Sequence, residues 1–131
     1  MSAAEGLVVD ASVLVELVVA GEGSASCREA IIGRSLHAPA HLDVEVMSAL
    51  ARLERASLLT QSKASRALAD FLRAPVERYE LADLLSDAWS QRKFLRGTDA
   101  LYVSLAERLG MQVLTMDARL TRATPLAVLP K

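Results

Sequence analysis

A few acidic residues stand where carboxylates can do chemistry. Asp10 interrupts the apolar run "GLVVDASVLV", and Asp117 follows a second such run, "QVLTM". Asp99 sits behind Thr98 at the head of "TDALYVSLAERLG", and Glu45 lies beside an apolar seam in "HLDVEVMSAL". Each acid taken alone has a structural reading. Asp10 and Asp117 suit helix N-caps, where a carboxylate accepts a free first-turn N–H. Asp99 gains from the positive end of a helix. Glu45 is internal to its helix, so capping does not account for it and a solvated helix face does.

Taken together the acids read differently. Asp10 and Asp117 both fall at the carboxyl ends of apolar strands, where open parallel sheets bind ligands. Three or four carboxylates gathered there repel one another and raise one another's pKa, so such a cluster calls for cations. Oxygen donors in a partly open site select Mg²⁺ or Mn²⁺. The chemistry that follows is phosphodiester hydrolysis, in which the cation activates water for in-line attack and stabilises the departing oxygen.

The elements that must position these acids alternate between strands and helices. Leu7 to Val9 predicts a short buried strand, and Ala11 to Val19 a helix stopped by Gly21 and Gly23. "SASCREAII" continues as a helix, and "SLHAPA" is extended up to Pro39. From His41, the spacing of Leu42, Val46, Leu50 and Leu53 predicts a long amphipathic helix. "TQSKASRALADFLRA" is a further helix with Thr60 as N-cap, broken by Pro75. "VERYEL" alternates like a strand, "ADLLSDAWSQRKFLRG" is helical to Gly97, and Thr98 to Gly110 forms a compact helix. "MQVLTMD" and "LAVLP" supply the last strands. The expected fold is a single α/β domain over residues 1–131, with a parallel-rich sheet of four to five short strands flanked by helices.

Composition limits the function classes. With 15 basic and 16 acidic residues the formal net charge is −1, so no global field steers the chain to nucleic acid or a membrane, and recognition by charge must be local. The single Cys27 has no disulfide partner and no metal-ligand spacing around it, which predicts a buried small hydrophobe. "MSAAEG" carries no basic leader, and Asp10 and Glu16 interrupt the apolar stretch, so neither signal peptide nor membrane span is expected and the setting is cytoplasmic. Neither G-x-x-x-x-G-K nor G-x-G-x-x-G occurs, which disfavours nucleotide-cofactor enzymes.

Four blocks, "VVDASVLVEL", "APAHLDVEVMSALARL", "TDALYVSLAERLG" and "VLTMDARL", in this order and spacing, make the chain resemble the PIN-domain family nearly end to end. Within that family it is similar to the bacterial VapC-type ribonucleases of VapBC toxin–antitoxin modules. The resemblance implies that Asp10, Glu45, Asp99 and Asp117 surround the catalytic metal, Mg²⁺ or Mn²⁺, with Asp10 and Asp99 the firmest ligands. It favours Glu45 over Asp43, which lies two residues away on a different helix face. It gives Ser12 and Thr115 as flanking hydroxyls that orient a ligand or a metal-bound water; backbone hydrogen bonding at a strand-to-helix turn is their other reading. Thr98 departs from the family, which often carries a bulky residue there. The resemblance further implies a transfer RNA or ribosomal RNA substrate, a VapB-like antitoxin that inserts an arginine among the acids, and a homodimer.

Arg92, Lys93 and Arg96 lie shortly before Asp99 with Trp89 and Phe94 between and beside them. One reading is a basic rim for RNA phosphates with a ring for base stacking. The other, taken here for the two rings, is core aromatics at a helix end with favourable cations. His37 and His41 flank Pro39 without the further nitrogen or sulfur ligands that zinc requires. A receiver-like phosphorylation switch shares the early aspartate, yet Asp10 has no acidic neighbour and the only late lysine is Lys131. A PIN domain that binds RNA or protein without cleaving is the remaining alternative.

Overall fold

The computed structural model describes residues 5–131; the stretch 1–4, part of the segment read as lacking a leader, lies outside the described residues. Five parallel strands form one sheet in the order β3-β2-β1-β4-β5. They are β1 (Leu7–Val9), β2 (Leu36–Pro39), β3 (Val76–Tyr79), β4 (Gln112–Leu114) and β5 (Ala127–Val128). The flanking helices are α1 (Ala11–Val18), α2 (Ser24–Ile31), α3 (Leu42–Arg55), α4 (Gln61–Arg73), α5 (Leu85–Ser90), α6 (Gly97–Leu109) and α7 (Ala118–Ala123). No helix among the described residues is long and apolar enough to cross a membrane.

β1 is central because every one of its residues is apolar and buried, which suits a strand covered on both faces. Val8 pairs with His37 of β2 on one side and Val113 of β4 on the other. The residues that follow β1 and β4, Asp10 and Thr115, are thereby carried side by side to the same end of the sheet. α6 packs on β1, β2 and β4, and its residues Ala100 to Ala106 are all buried. That continuous burial explains why α6 reads as apolar nearly all round rather than as an amphipathic stripe. Burial of each core Val or Leu, such as Val13, Leu42, Val46 or Leu105, stabilises the fold by about 1.5–3 kcal/mol relative to exposure. Cys27 is fully buried, as its apolar reading predicts.

Three local departures from the sequence expectation have physical causes. Gly21 and Gly23 do more than stop α1. The Glu16 carboxylate folds back to accept the Gly23 N–H at 2.6 Å, and a Cβ at position 21 would collide with that carboxylate. The stretch 81–97 is not one helix: a 3₁₀ turn (Leu81–Asp83) and the short α5 are followed by turns. Gln91 is bound there to Ser104 of α6 at 3.0 Å and Leu95 is buried, so the chain is drawn inward and cannot continue straight. Finally, Asp117 caps a helix, α7, whose extent the sequence leaves open, since "ARLTRA" buries only Leu120 and is too short for periodicity to reveal. At the close of α6, Gly110 adopts φ 68°, the left-handed cap that glycine allows without a Cβ clash.

Candidate active site

Asp10 occupies the N-cap position of α1 in extended conformation, yet its side chain bonds no helix N–H. Its Oδ2 instead accepts the Thr115 hydroxyl at 2.6 Å and the Ser12 hydroxyl at 3.2 Å. Each hydroxyl in turn accepts a backbone N–H: Thr115 Oγ1 from Asp117 and Ser12 Oγ from Met116, both at 3.0 Å. The Asp10 N–H donates to the Leu114 carbonyl at 3.0 Å. The two readings of Ser12 and Thr115 therefore coexist. The hydroxyls hold the turn after β4, and by doing so they aim the Asp10 carboxylate.

Asp117 is a true cap of α7. Its Oδ1 accepts the Arg119 N–H at 2.9 Å, while its Oδ2 accepts Arg119 Nη2 at 2.9 Å. The guanidinium holds this carboxyl below its usual range. Asp99, in the first turn of α6, is half-buried, and its carboxyl is pushed up, first by burial and then by the charges of Asp10 and Asp117; Arg96 and Arg119 offset part of this. Glu45 of α3 accepts the Tyr102 hydroxyl at 2.6 Å on Oε1, and His41 Nε2 lies 3.6 Å from the same oxygen. Asp43 points elsewhere: its Oδ1 accepts Arg78 Nη2 at 2.8 Å and Nε at 3.0 Å.

The acids line two cavities rather than a single bowl. Asp10, Glu45 and Glu16 border one of about 500 Å³ with Ser12, Val44 and Met116. Asp99 and Asp117 border another of about 180 Å³ with Phe94, Arg96 and Arg119. A cavity of about 450 Å³ near Leu7, Arg34 and Gln112 contains none of the four acids. Among the described residues no three His, Cys, Asp or Glu side chains are drawn together closely enough to cage one ion. The donor chemistry nonetheless fits a hard divalent cation. All four donors are carboxylates, and Asp99 is disfavoured as an anion by burial first and then by Asp10 and Asp117, a cost that a cation relieves. Mg²⁺ is commonly held by one or two carboxylates with water completing the shell, which requires no closed cage.

Trp89 and Phe94 correct the sequence reading. They are 67% and 80% exposed, so neither is a core aromatic. Arg92 lies over the Trp89 ring at 4.3 Å, and Arg92, Lys93 and Arg96 are all exposed. His37 is structural, bound to Ser35 at 2.9 Å and to Tyr79 at 2.9 Å. His41 stacks 4.9 Å from the Tyr102 ring, with both ring nitrogens buried and without a hydrogen-bond partner among the described residues. Sequence reasoning missed Tyr102 and Arg119. Tyr102 lies three residues after Asp99 on the same helix face, a spacing that could have drawn attention to it though not to its partner Glu45, whereas Arg119, two after Asp117, carried no spacing signal.

A family model for the PIN domain matches residues 7–124. The chain is 48% identical over 124 residues to ribonuclease VapC3 of Mycobacterium tuberculosis, covering 94% of this chain and 90% of that one. It is 34% identical over 117 residues to VapC12 of the same organism, covering 89% and 91%. Among solved structures, Mycobacterium tuberculosis VapC20, described as a sarcin-ricin loop cleaving toxin, is similar with a TM-score of 0.67 at 21% identity, covering 90% of this chain and 95% of that one. A Pyrobaculum aerophilum protein gives a TM-score of 0.68 at 24% identity, covering 98% and 88%. With the strand order, the Asp10 clasp and these likenesses in hand, the chain belongs to the PIN-domain family, in its VapC branch.

Proposed function

We propose that this protein is a metal-dependent endoribonuclease, the toxin of a VapBC-type pair, acting in the cytoplasm on structured RNA of the translation machinery, transfer RNA or ribosomal RNA. The observation that carries the reading is the Asp10 carboxylate. It sits at a helix cap without capping, and two hydroxyls, Ser12 in the first turn of α1 and Thr115 after β4, hold it in place. Relatives named ribonucleases at 48% and 34% identity support RNA cleavage.

Asp10, Glu45, Asp99 and Asp117 would hold Mg²⁺ or Mn²⁺ directly or through water. When bound, the cation supplies charge for the phosphate and a more acidic water. The chain's own part is positioning. Thr115 and Ser12 fix one Asp10 oxygen, and Tyr102 fixes one Glu45 oxygen. Arg119 pairs with Asp117 and offsets its charge. The cavity beside Asp10, acidic at Glu16 and Glu45 and apolar at Val15, Val44 and Ala49, suits an antitoxin segment that presents an arginine. Solved neighbours described as toxin–antitoxin complexes support such a partner, and the family resemblance adds a homodimer.

A receiver-like switch does not fit the sheet. Receivers place their first strand between the second and third, whereas β1 here lies between β2 and β4. The test is expression of wild type and Asp10→Asn with sequencing of newly formed RNA ends. Growth arrest and discrete new ends are expected from wild type alone. Equal maps, or no arrest from wild type, would overturn the proposal, and RNA binding without new ends would favour a non-cleaving PIN domain.

A further inference from the structure

Aromatic residues make up 4% of the chain, Phe71 and Tyr102 are buried, and Phe94, at 80%, is the most exposed large hydrophobic side chain among the described residues. Its outward position is set by the backbone: Gln91 ties the turn to Ser104, and the adjacent Leu95 is buried. Phe94 lines the same cavity as Arg96, Asp99, Asp117 and Arg119. Both arginines act electrostatically on Asp99, which puts cations and acids at one mouth. Arg92 and Lys93, in the turns just before, are also exposed, Arg92 over the Trp89 ring.

We propose that Phe94, Arg96 and Arg119 form a subsite for one unpaired RNA nucleotide, the ring stacking its base and the two guanidiniums holding its phosphate beside Asp99. The proposal rests on the nuclease reading above. Charge complementarity selects the occupant. A symmetric contact with a second copy would bring the exposed Arg92, Lys93 and Arg96 of each copy together, which is repulsive, whereas phosphates neutralise them. The flat ring needs a base face, and duplex RNA hides its base faces in the stack. The nucleotide recognised is therefore in a loop, bulge or single strand.

The test uses the full chain carrying Asp10→Asn, with Mg²⁺ present, and a short fluorescein-labelled single-stranded RNA of mixed sequence, alone or annealed to its complement. Adding Phe94→Ala should weaken single-strand binding about tenfold and leave duplex binding unchanged, and Phe94→Trp should restore it. Arg96→Ala should weaken binding to both and flatten the salt dependence by about one phosphate contact. The subsite is overturned if Phe94→Ala leaves single-strand affinity unchanged, if it weakens both forms equally, or if no single strand binds. It is also overturned if Phe94→Ala alters only sedimentation, which would assign the ring to a contact between copies. If Asp10→Asn still cleaves the probe, the assignment of Asp10 to the cleaving site fails on its own, and the Phe94 comparison is then read from KM. If Asp10→Asn is inert and Phe94→Ala binds normally, only the subsite fails.

Discussion

The Thr115 hydroxyl donates to Asp10 Oδ2 at 2.6 Å, joining the residue after β4 to the residue after β1 across 105 positions of sequence. Thr115 is fully buried, and its oxygen also accepts the Asp117 N–H, so one hydroxyl serves two of the acids. Thr115→Val removes both bonds at nearly constant volume. It should cost about 1–3 kcal/mol of stability, since a buried N–H and a carboxylate oxygen lose a partner, and weaken Mn²⁺ binding about tenfold. Thr115→Ser should recover most of the affinity. Denaturant melts and titration calorimetry check both effects, and unchanged Mn²⁺ affinity in Thr115→Val would show that the hydroxyl does not aim Asp10.

Tyr102 and Glu45 predict a second effect. The Tyr102 ring is buried, and its hydroxyl donates to Glu45 at 2.6 Å. Tyr102→Phe keeps the packing and frees the carboxylate, so stability should fall by about 1 kcal/mol while Mn²⁺ affinity drops about tenfold. A kcat loss with KM unchanged would mark positioning of the metal site rather than loss of substrate contact. Equal losses in stability and none in affinity would make the bond purely structural.

Asp43 provides the control. Its carboxylate is exposed and engaged by Arg78, not by the acids. Asp43→Asn should change stability by less than about 1 kcal/mol and leave cleavage intact, whereas Glu45→Gln should abolish most of it. Loss of cleavage in Asp43→Asn, with Glu45→Gln active, would reverse the assignment of the two acids on α3.

Asp99 couples pH to stability. Its carboxyl is raised by burial and by its acidic neighbours, so ionisation is penalised in the folded state. The sign follows: this group's contribution is full below the ordinary aspartate range and is lost as pH rises through the raised folded value. In EDTA, Asp99→Asn should therefore melt higher than wild type at neutral pH, by roughly 2–4 °C, with the gap closing in acid. Added Mn²⁺ should stabilise wild type and not the variant. A variant that melts lower than wild type at neutral pH in EDTA would contradict the electrostatic account.

Strands of unbroken apolar type and the 3.6-residue seam of α3 were legible in sequence because burial on a sheet or helix face writes a period into it. Thr60 was legible as a cap, and its Oγ1 accepts the Lys63 N–H at 3.1 Å. Asp10 shows the limit of local reading: the cap position was right and the cap bond was not, because Thr115 and Ser12 compete for the carboxylate. Pairings such as Tyr102 with Glu45 depend on how α6 and α3 meet, which no local spacing encodes. Trp89 and Phe94 were misplaced because residue type was taken for burial, while α5 presents Trp89 to solvent and the turn anchored by Gln91 points Phe94 outward.

The middle position of β1 has a kinetic consequence. The Asp10 amide donates to the Leu114 carbonyl beside a strand paired on both sides, so exposing it to solvent requires the sheet to come apart. Its hydrogen exchange should track global unfolding, while amides around Phe94, in short turns at the surface, exchange through local opening. The cleaving half of the molecule is thus as durable as the fold itself. The turns that carry Phe94 should open and close more often than the sheet does, without unfolding the chain.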